Sequence, residues 1–194
     1  MAAGDPLEPL LQGHPLSSGA VDLAVLAAGI GHAFARPELA VEALTHRSLL
    51  DRRPDLKAAY PNGNERLEFL GDRVLSLAMA DLLLRRFPQS REGELARRHA
   101  ELVQAATLAE IAAQAGLARH LMLGESERQA EGATGAVRPT ILADAMEALL
   151  GAIFLDAGFP AAAACIERLW GERDRKSTRL NSSHIPLSRM PSSA

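Results

Sequence analysis

Glu65, Glu68 and Asp72 lie at i, i+3 and i+7 in the stretch NERLEFLGD, residues 64–72. On a helix turning about 100° per residue these acids share one stripe, which continues through Leu75 and Met79. Leu67, Leu70, Val74 and Leu77 form a second, apolar stripe. A helix apolar around most of its circumference is expected to be buried, which aims the acids into an interior, a cleft or another subunit. Unpaired carboxylates ionise at a high cost in such a place. The stripe offers no lysine or histidine in compensation, so a hard metal ion is the natural partner. A plainer reading treats Asn62 as a helix cap and Glu65 as an acid favoured by the helix dipole. It accounts for Glu65, less well for Glu68, and not for Asp72.

A second acidic pair stands in TILADAMEALLGAIFLDAG, which follows Pro139 and is apolar almost throughout. Asp144 and Glu147, at i and i+3, share one side of this predicted helix. Ala148 and Gly151 on that side would let a neighbouring helix come close. Two buried helices therefore offer five carboxylates, Glu65, Glu68, Asp72, Asp144 and Glu147, to a common site. An all-oxygen donor set favours Mg²⁺ or Mn²⁺ over zinc or copper. A ferritin-like di-iron bundle would need Glu-x-x-His pairs, and the sequence has none.

The elements that must hold these acids read as helices throughout. The 194 residues fit one domain with an appendage, and 47% hydrophobic residues suffice for a core. Aromatics are only 4% while Ala and Leu abound, a mix that favours helix over strand. Residues 1–19 form a Pro/Gly/Ser-rich lead expected to be disordered. Val21 to Phe34 predicts an amphipathic helix with Leu23, Leu26 and Ile30 inward, and Pro37 opens a short helix through Leu44. Thr45-His46-Arg47-Ser48 follows, with His46 more naturally structural than catalytic. Residues 51–63, broken by Pro54, Pro61 and Gly63, read as a loop into the motif helix of 64–86. After a loop at 88–93, Glu94 to Gln114 predicts one or two helices with Leu95, Leu102, Val103, Leu108 and Ile111 inward. The polar, Gly-rich residues 124–138 read as a mobile loop.

Cys165 is the sole cysteine, which rules out an internal disulfide and fits a core position in a reducing cytoplasm. The opening residues carry Asp5 and Glu8, lack basic residues and are broken by prolines, so they are expected to make a poor signal peptide and no membrane anchor. Net charge is -3; residues 173–194 contribute +4, leaving -7 for the remainder. That balance argues for a solvated acidic surface or an acidic metal site. Basic clusters at Arg47, Arg52, Arg53 and Lys57 and at Arg91, Arg97 and Arg98 interrupt it.

NERLEFLGD, Thr45-His46-Arg47-Ser48 before it, REGEL at 91–95 and ILADAMEALLGAIFLDAG at 141–158 together resemble bacterial ribonuclease III. The resemblance spans residues 20–172 in order. It implies an all-α, ribonuclease III-type endonuclease domain that homodimerises and cuts double-stranded RNA, leaving 5′-phosphate and 3′-hydroxyl ends. By position, Glu68, Asp72, Asp144 and Glu147 would hold Mg²⁺, with Mn²⁺ as a substitute, and activate water. Glu65 and Glu92 would shape the site around the scissile strand. Phe69 would be a knob entering a socket on the partner subunit, or else an ordinary core phenylalanine. Arg97 and Arg98 would supply RNA contacts. Processing of ribosomal and other structured RNA precursors in the cytoplasm is the implied role, with no small-molecule cofactor and no membrane.

The family ordinarily continues into a double-stranded-RNA-binding domain. Here residues 173–194 read DRKSTRLNSSHIPLSRMPSSA after Arg173, with no helical or strand period. They are expected to be a disordered tail, by resemblance a foreign read-through end rather than a native one. Two other function classes stay open. A binding-only relative would have lost acids that are present here, and a helical metal-carboxylate protein acting on small nucleotides would need no cleft for duplex RNA.

Overall fold

The computed structural model describes residues 21–127 and 137–181, with side chains through Gly171. Seven α-helices make up the described residues: α1 (Leu23–Ile30), α2 (Pro37–Leu44), α3 (Pro54–Ala59), α4 (Glu65–Arg86), α5 (Glu92–Val103), α6 (Ala105–Gln114) and α7 (Pro139–Asn181). Short 3-10 turns occupy Arg47–Arg52 and Leu117–His120. The one β-type contact among the described residues is an isolated parallel bridge between Thr45 and Met122. The fold is therefore all-α, as the composition implies.

Local chemistry sets the helix ends. Asp22 caps α1 by accepting hydrogen bonds from the backbone of Ala24 and Val25, and Gly31 closes it at φ 77°. Pro37 begins α2 at a position where its missing N–H costs nothing. Pro54 does the same for α3, so the stretch expected to be a loop from 51 to 63 holds a short helix. Leu56 anchors that helix, fully buried. A proline after a polar residue reads equally well as a breaker or as a first helical residue, and here burial of Leu56 decides. Asn64, not Asn62, stands at the N-terminus of α4, and its side chain makes no capping bond.

Helices α4 and α7 cross at the centre, with α6 and α2 packed on α7 and α5 on α4. Leu75, Met79, Met146, Leu149, Leu150 and Ile153 fill the space between and around them. By length and mean hydropathy the Pro139–Gly171 part of α7 could cross a membrane. Its apolar residues instead face the core, with Ala145, Met146, Ala148 and Leu149 fully buried. Gly158, at φ 80° and ψ 179°, breaks α7 just before Pro160. Beyond the break Cys165 is buried and donates to the Ile30 carbonyl at 3.2 Å, and burial raises its thiol to about 12. It is a core residue.

Two expectations change, and one open alternative is decided. Helix α4 is not buried all round: Phe69, Leu77 and Leu84 are exposed. Its apolar residues continue past the face that α7 covers and reach a side left exposed among the described residues. The region from Glu94 to Gln114 is two helices, parted at Gln104, whose backbone is extended. The backbone of α7 stays helical to Asn181, past the point where the tail was expected to begin. Glu172, Arg173, Arg175 and Lys176 are good helix formers, and extending an existing helix is far easier than nucleating one. The expected disordered lead, most of the expected mobile loop and the end of the tail lie outside the described residues.

Candidate active site

The acids meet because two glycines let two helix backbones touch. A methyl at Gly71 would overlap the carbonyl oxygen of Glu147 and stand 3.0 Å from the Gly151 nitrogen. A methyl at Gly151 would strike the carbonyl oxygen of Leu67. No side chain can separate the helices here. Glu68 and Asp72 flank Gly71 on α4, and Glu147 lies one turn before Gly151 on α7. Gly151 was legible as a close-approach position; its counterpart Gly71, hidden inside NERLEFLGD, was not.

Glu68, Asp144 and Glu147 form one electrostatic unit. Burial, then repulsion from Glu68 and Asp144, raises the Glu147 carboxyl to about 7, with Arg73 pulling modestly the other way. Burial, then Asp144 and Glu65, raises Glu68. Burial raises Asp144 as well, opposed by His46. Burial comes first in all three, and repulsion between carboxylates adds to it at Glu147 and Glu68. Asp72 stands apart, in an ion pair with the neighbouring Arg73. The Arg73 guanidinium also lies over the Phe69 ring, 5.0 Å from its centroid.

The Thr45–Ser48 turn braces three segments around these acids. His46 donates its backbone N–H to the Met122 carbonyl at 3.0 Å, and its Nδ1 accepts from the Ser48 backbone at 3.2 Å. Ser48 Oγ in turn accepts the Gly124 N–H at 2.9 Å. Accepting at Nδ1 suits a neutral ring, and burial lowers the His46 pKa further. His46 is thus a structural histidine, as its sequence context suggests, though it stands close enough to Asp144 to feel its charge. Gly63, at φ 58°, presses on the same turn from the α4 side, where a methyl would meet the Thr45 carbonyl at 2.8 Å. Arg47 Nη1 donates to Glu65 Oε1 at 2.9 Å. Two more exposed arginines ring the area, Arg52 paired with Glu125 and Arg138 with Glu127. Spacing gave no signal for these pairs, because their members are 73 and 11 residues apart in sequence.

The remaining candidates are placed elsewhere or differently. Glu65 is exposed at the start of α4 and tied to Arg47, not drawn in with the other acids. Glu92 is exposed in the first turn of α5. Arg97 is exposed, whereas Arg98 packs over the Phe87 ring at 4.3 Å beside a cavity of about 430 Å³ that Trp170 and Leu102 also line. Phe69 is 67% exposed, so it is no core residue. Beside it lies a hollow of about 720 Å³ lined by Glu42, Arg66, Leu70 and Leu155 among others.

Among the described residues no three His, Cys, Asp or Glu side chains converge closely enough to grip an ion as they stand. The donor chemistry nevertheless fits a hard divalent cation. Glu68, Asp144 and Glu147 are oxygen donors whose ionised forms lack countercharge, and Asp72 is within a turn of Glu68 with its charge borrowed by Arg73.

A family model described as Ribonuclease-III-like matches residues 36–172. Ribonuclease 3 of Dinoroseobacter shibae is 50% identical over 144 residues, covering 74% of this chain and 58% of that protein. Ribonuclease 3 of Cereibacter sphaeroides is 45% identical over 153 residues, covering 78% and 62%. The chain thus spans about three fifths of the length of these relatives. Two structures of the nuclease domain of ribonuclease III from Campylobacter jejuni, one described for flexibility in a region involved in dimer formation, superpose with TM-scores of 0.66 and 0.68 at 36% identity. They cover 76% and 78% of this chain and 95% of their own. With the paired acids, the all-helical fold and a match over most of its length, the chain belongs to the ribonuclease-III-like family.

Proposed function

We propose that this chain is a magnesium-dependent endoribonuclease that hydrolyses phosphodiester bonds in double-stranded RNA and works as a homodimer. The observation that carries the proposal is the placing of Glu68, Asp144 and Glu147 within electrostatic reach of one another at a backbone-to-backbone helix crossing, where burial and then the other two acids raise Glu147 to about 7. Glu68, Asp144, Glu147 and Asp72 would hold Mg²⁺, with Mn²⁺ able to substitute. A bound divalent ion supplies a nucleophilic water at neutral pH and stabilises charge on the attacking and leaving oxygens.

The chain's own residues do the rest. In hydrolysis a water oxygen bonds to phosphorus while the bond to the 3′ oxygen breaks, giving a 5′-phosphate and a 3′-hydroxyl. A carboxyl near 7 is about half protonated at neutral pH, so Glu147 must shed its proton before serving as a ligand. The crossing at Gly71 and Gly151 fixes the separation of the acids on α4 from those on α7. Glu65, held by Arg47, stands at the rim where a backbone phosphate would pass; Glu92, on α5, would act from further along the strand. Duplex RNA presents phosphates, 2′-hydroxyls and shape more than readable base edges, which suits a rim of arginines such as Arg47, Arg52, Arg97 and Arg138. Arg98, stacked on Phe87, is the weaker candidate for that role. Phe69, exposed beside an apolar hollow, would serve the subunit interface. Structured RNA precursors, ribosomal and messenger, in the cytoplasm are the proposed substrates.

The test is a cleavage assay on duplex and single-stranded RNA with and without Mg²⁺, comparing wild-type protein with Glu147→Ala. Mg²⁺-dependent cutting of duplex, lost in the variant while helicity is kept, is the expected result. Cutting of single strands or free nucleotides instead would overturn the substrate assignment, and full activity of Glu147→Ala would overturn the site.

A further inference from the structure

Arg73 is not explained by the acids it stands among. It makes an ion pair with Asp72, lies 5.0 Å from the centre of the Phe69 ring, and sits near enough to Glu147 to favour its ionised form. Its side chain is 62% exposed, so core packing does not require an arginine here. Two weak holds on a solvated guanidinium, one anionic and one aromatic, keep it at the edge of the site without burying it. Among the described residues, Arg73 is the one cation that the raised carboxyl of Glu147 feels.

We propose that Arg73 is a built-in countercharge of the metal-free site, which occupies Asp72 and must be displaced before Asp72 can join a divalent cation. This deepens the magnesium reading and rests on it. Arg73 is therefore a positioning residue that acts through Asp72. It lowers repulsion when no ion is bound, and it competes with the ion when one arrives. A single positive charge several ångströms from the site, in a solvated setting, changes divalent affinity by roughly three- to tenfold, and salt screens that effect.

The experiment is calorimetric titration of MgCl₂ alone, without RNA, into metal-free full-length protein at pH 8, where Glu147 is ionised. Wild type is compared with Arg73→Gln, Arg73→Lys, Asp72→Asn and the Asp72→Asn/Arg73→Gln double variant. Arg73→Gln is expected to bind Mg²⁺ about three- to tenfold more tightly at low salt, with the gain shrinking in 0.5 M KCl. Arg73→Lys, which keeps the charge, should stay close to wild type, and the gain should vanish in the Asp72→Asn background. Equal or weaker Mg²⁺ binding by Arg73→Gln overturns the countercharge while leaving the metal site standing. No Mg²⁺ binding by wild type overturns both. A merely structural arginine would change stability but show neither the salt dependence nor the loss of the effect with Asp72.

Discussion

Glu147 carries the clearest chemical signature in the molecule. Its ordinary carboxyl value is 4.5 and burial beside Glu68 and Asp144 raises it to about 7 in the folded state. Between those values the folded protein binds more protons than the unfolded chain, so stability falls as pH rises through that window and levels off above it. Thermal melts of the metal-free protein from pH 4.5 to 8 are expected to show that fall, and Mg²⁺ to reverse it at the upper end by binding only the folded form. Glu147→Gln, which removes the charge and keeps the shape, should stabilise the metal-free protein at pH 8 by about 1–2 kcal/mol, allowing for partial solvation of the site. A flat profile, or destabilisation by Glu147→Gln, would refute the account. The pairing of Glu68 with Asp72 and of Asp144 with Glu147 on two helix faces was legible in the sequence because helical spacing reports which side chains share a stripe. Arg73 was not, since its importance lies in where its guanidinium rests, and Phe69 could be read as core or knob until its exposure was known. Glu65 shared the stripe in the sequence, yet the first turn of α4 opens to solvent and Arg47 claims it.

At the scale of elements, the α4–α7 crossing is decided by the absence of side chains. Gly71→Ala would drive a methyl into the Glu147 carbonyl, and the helices must part or shift to admit it. Overpacking of this kind costs about 1–3 kcal/mol, and more where the obstacle is backbone. The same shift separates Glu68 and Asp72 from Glu147, so Gly71→Ala should lose Mg²⁺ binding beyond what its lowered melting temperature explains. Gly93→Ala on α5 is the control: a methyl there meets nothing within 4 Å, and melting should stay the same or rise slightly. Melting curves and Mg²⁺ titrations of the two variants check this, and an unaffected Gly71→Ala would refute the crossing. Most helices were legible from period and proline placement. The short helix α3 was missed because Pro54 and Pro61 punctuate it like a loop, while its buried residues, Leu56 and Tyr60 at its end, are too few to show a helical period.

The whole molecule leaves an apolar face uncovered. Phe69, Leu77 and Leu84 on α4 and Leu155 on α7 are all exposed, and a hollow lies beside Phe69. Large exposed side chains gathered this way mark a contact surface. Phe69→Ala is expected to shift the protein from dimer to monomer at micromolar concentration in sedimentation, with little change in helicity. A dimer that persists would place the interface elsewhere. The two acidic pairs, for their part, lie on helices separated in sequence by everything from Phe87 to Arg138. During synthesis α4 leaves the ribosome carrying Glu68 and Asp72 long before α7 appears with Asp144 and Glu147. Non-local contacts of this kind form late, after the intervening chain has been made. A nascent chain holds only the α4 half of the acids until α7 has emerged beside it, so the acidic cluster comes together late in the synthesis of the domain.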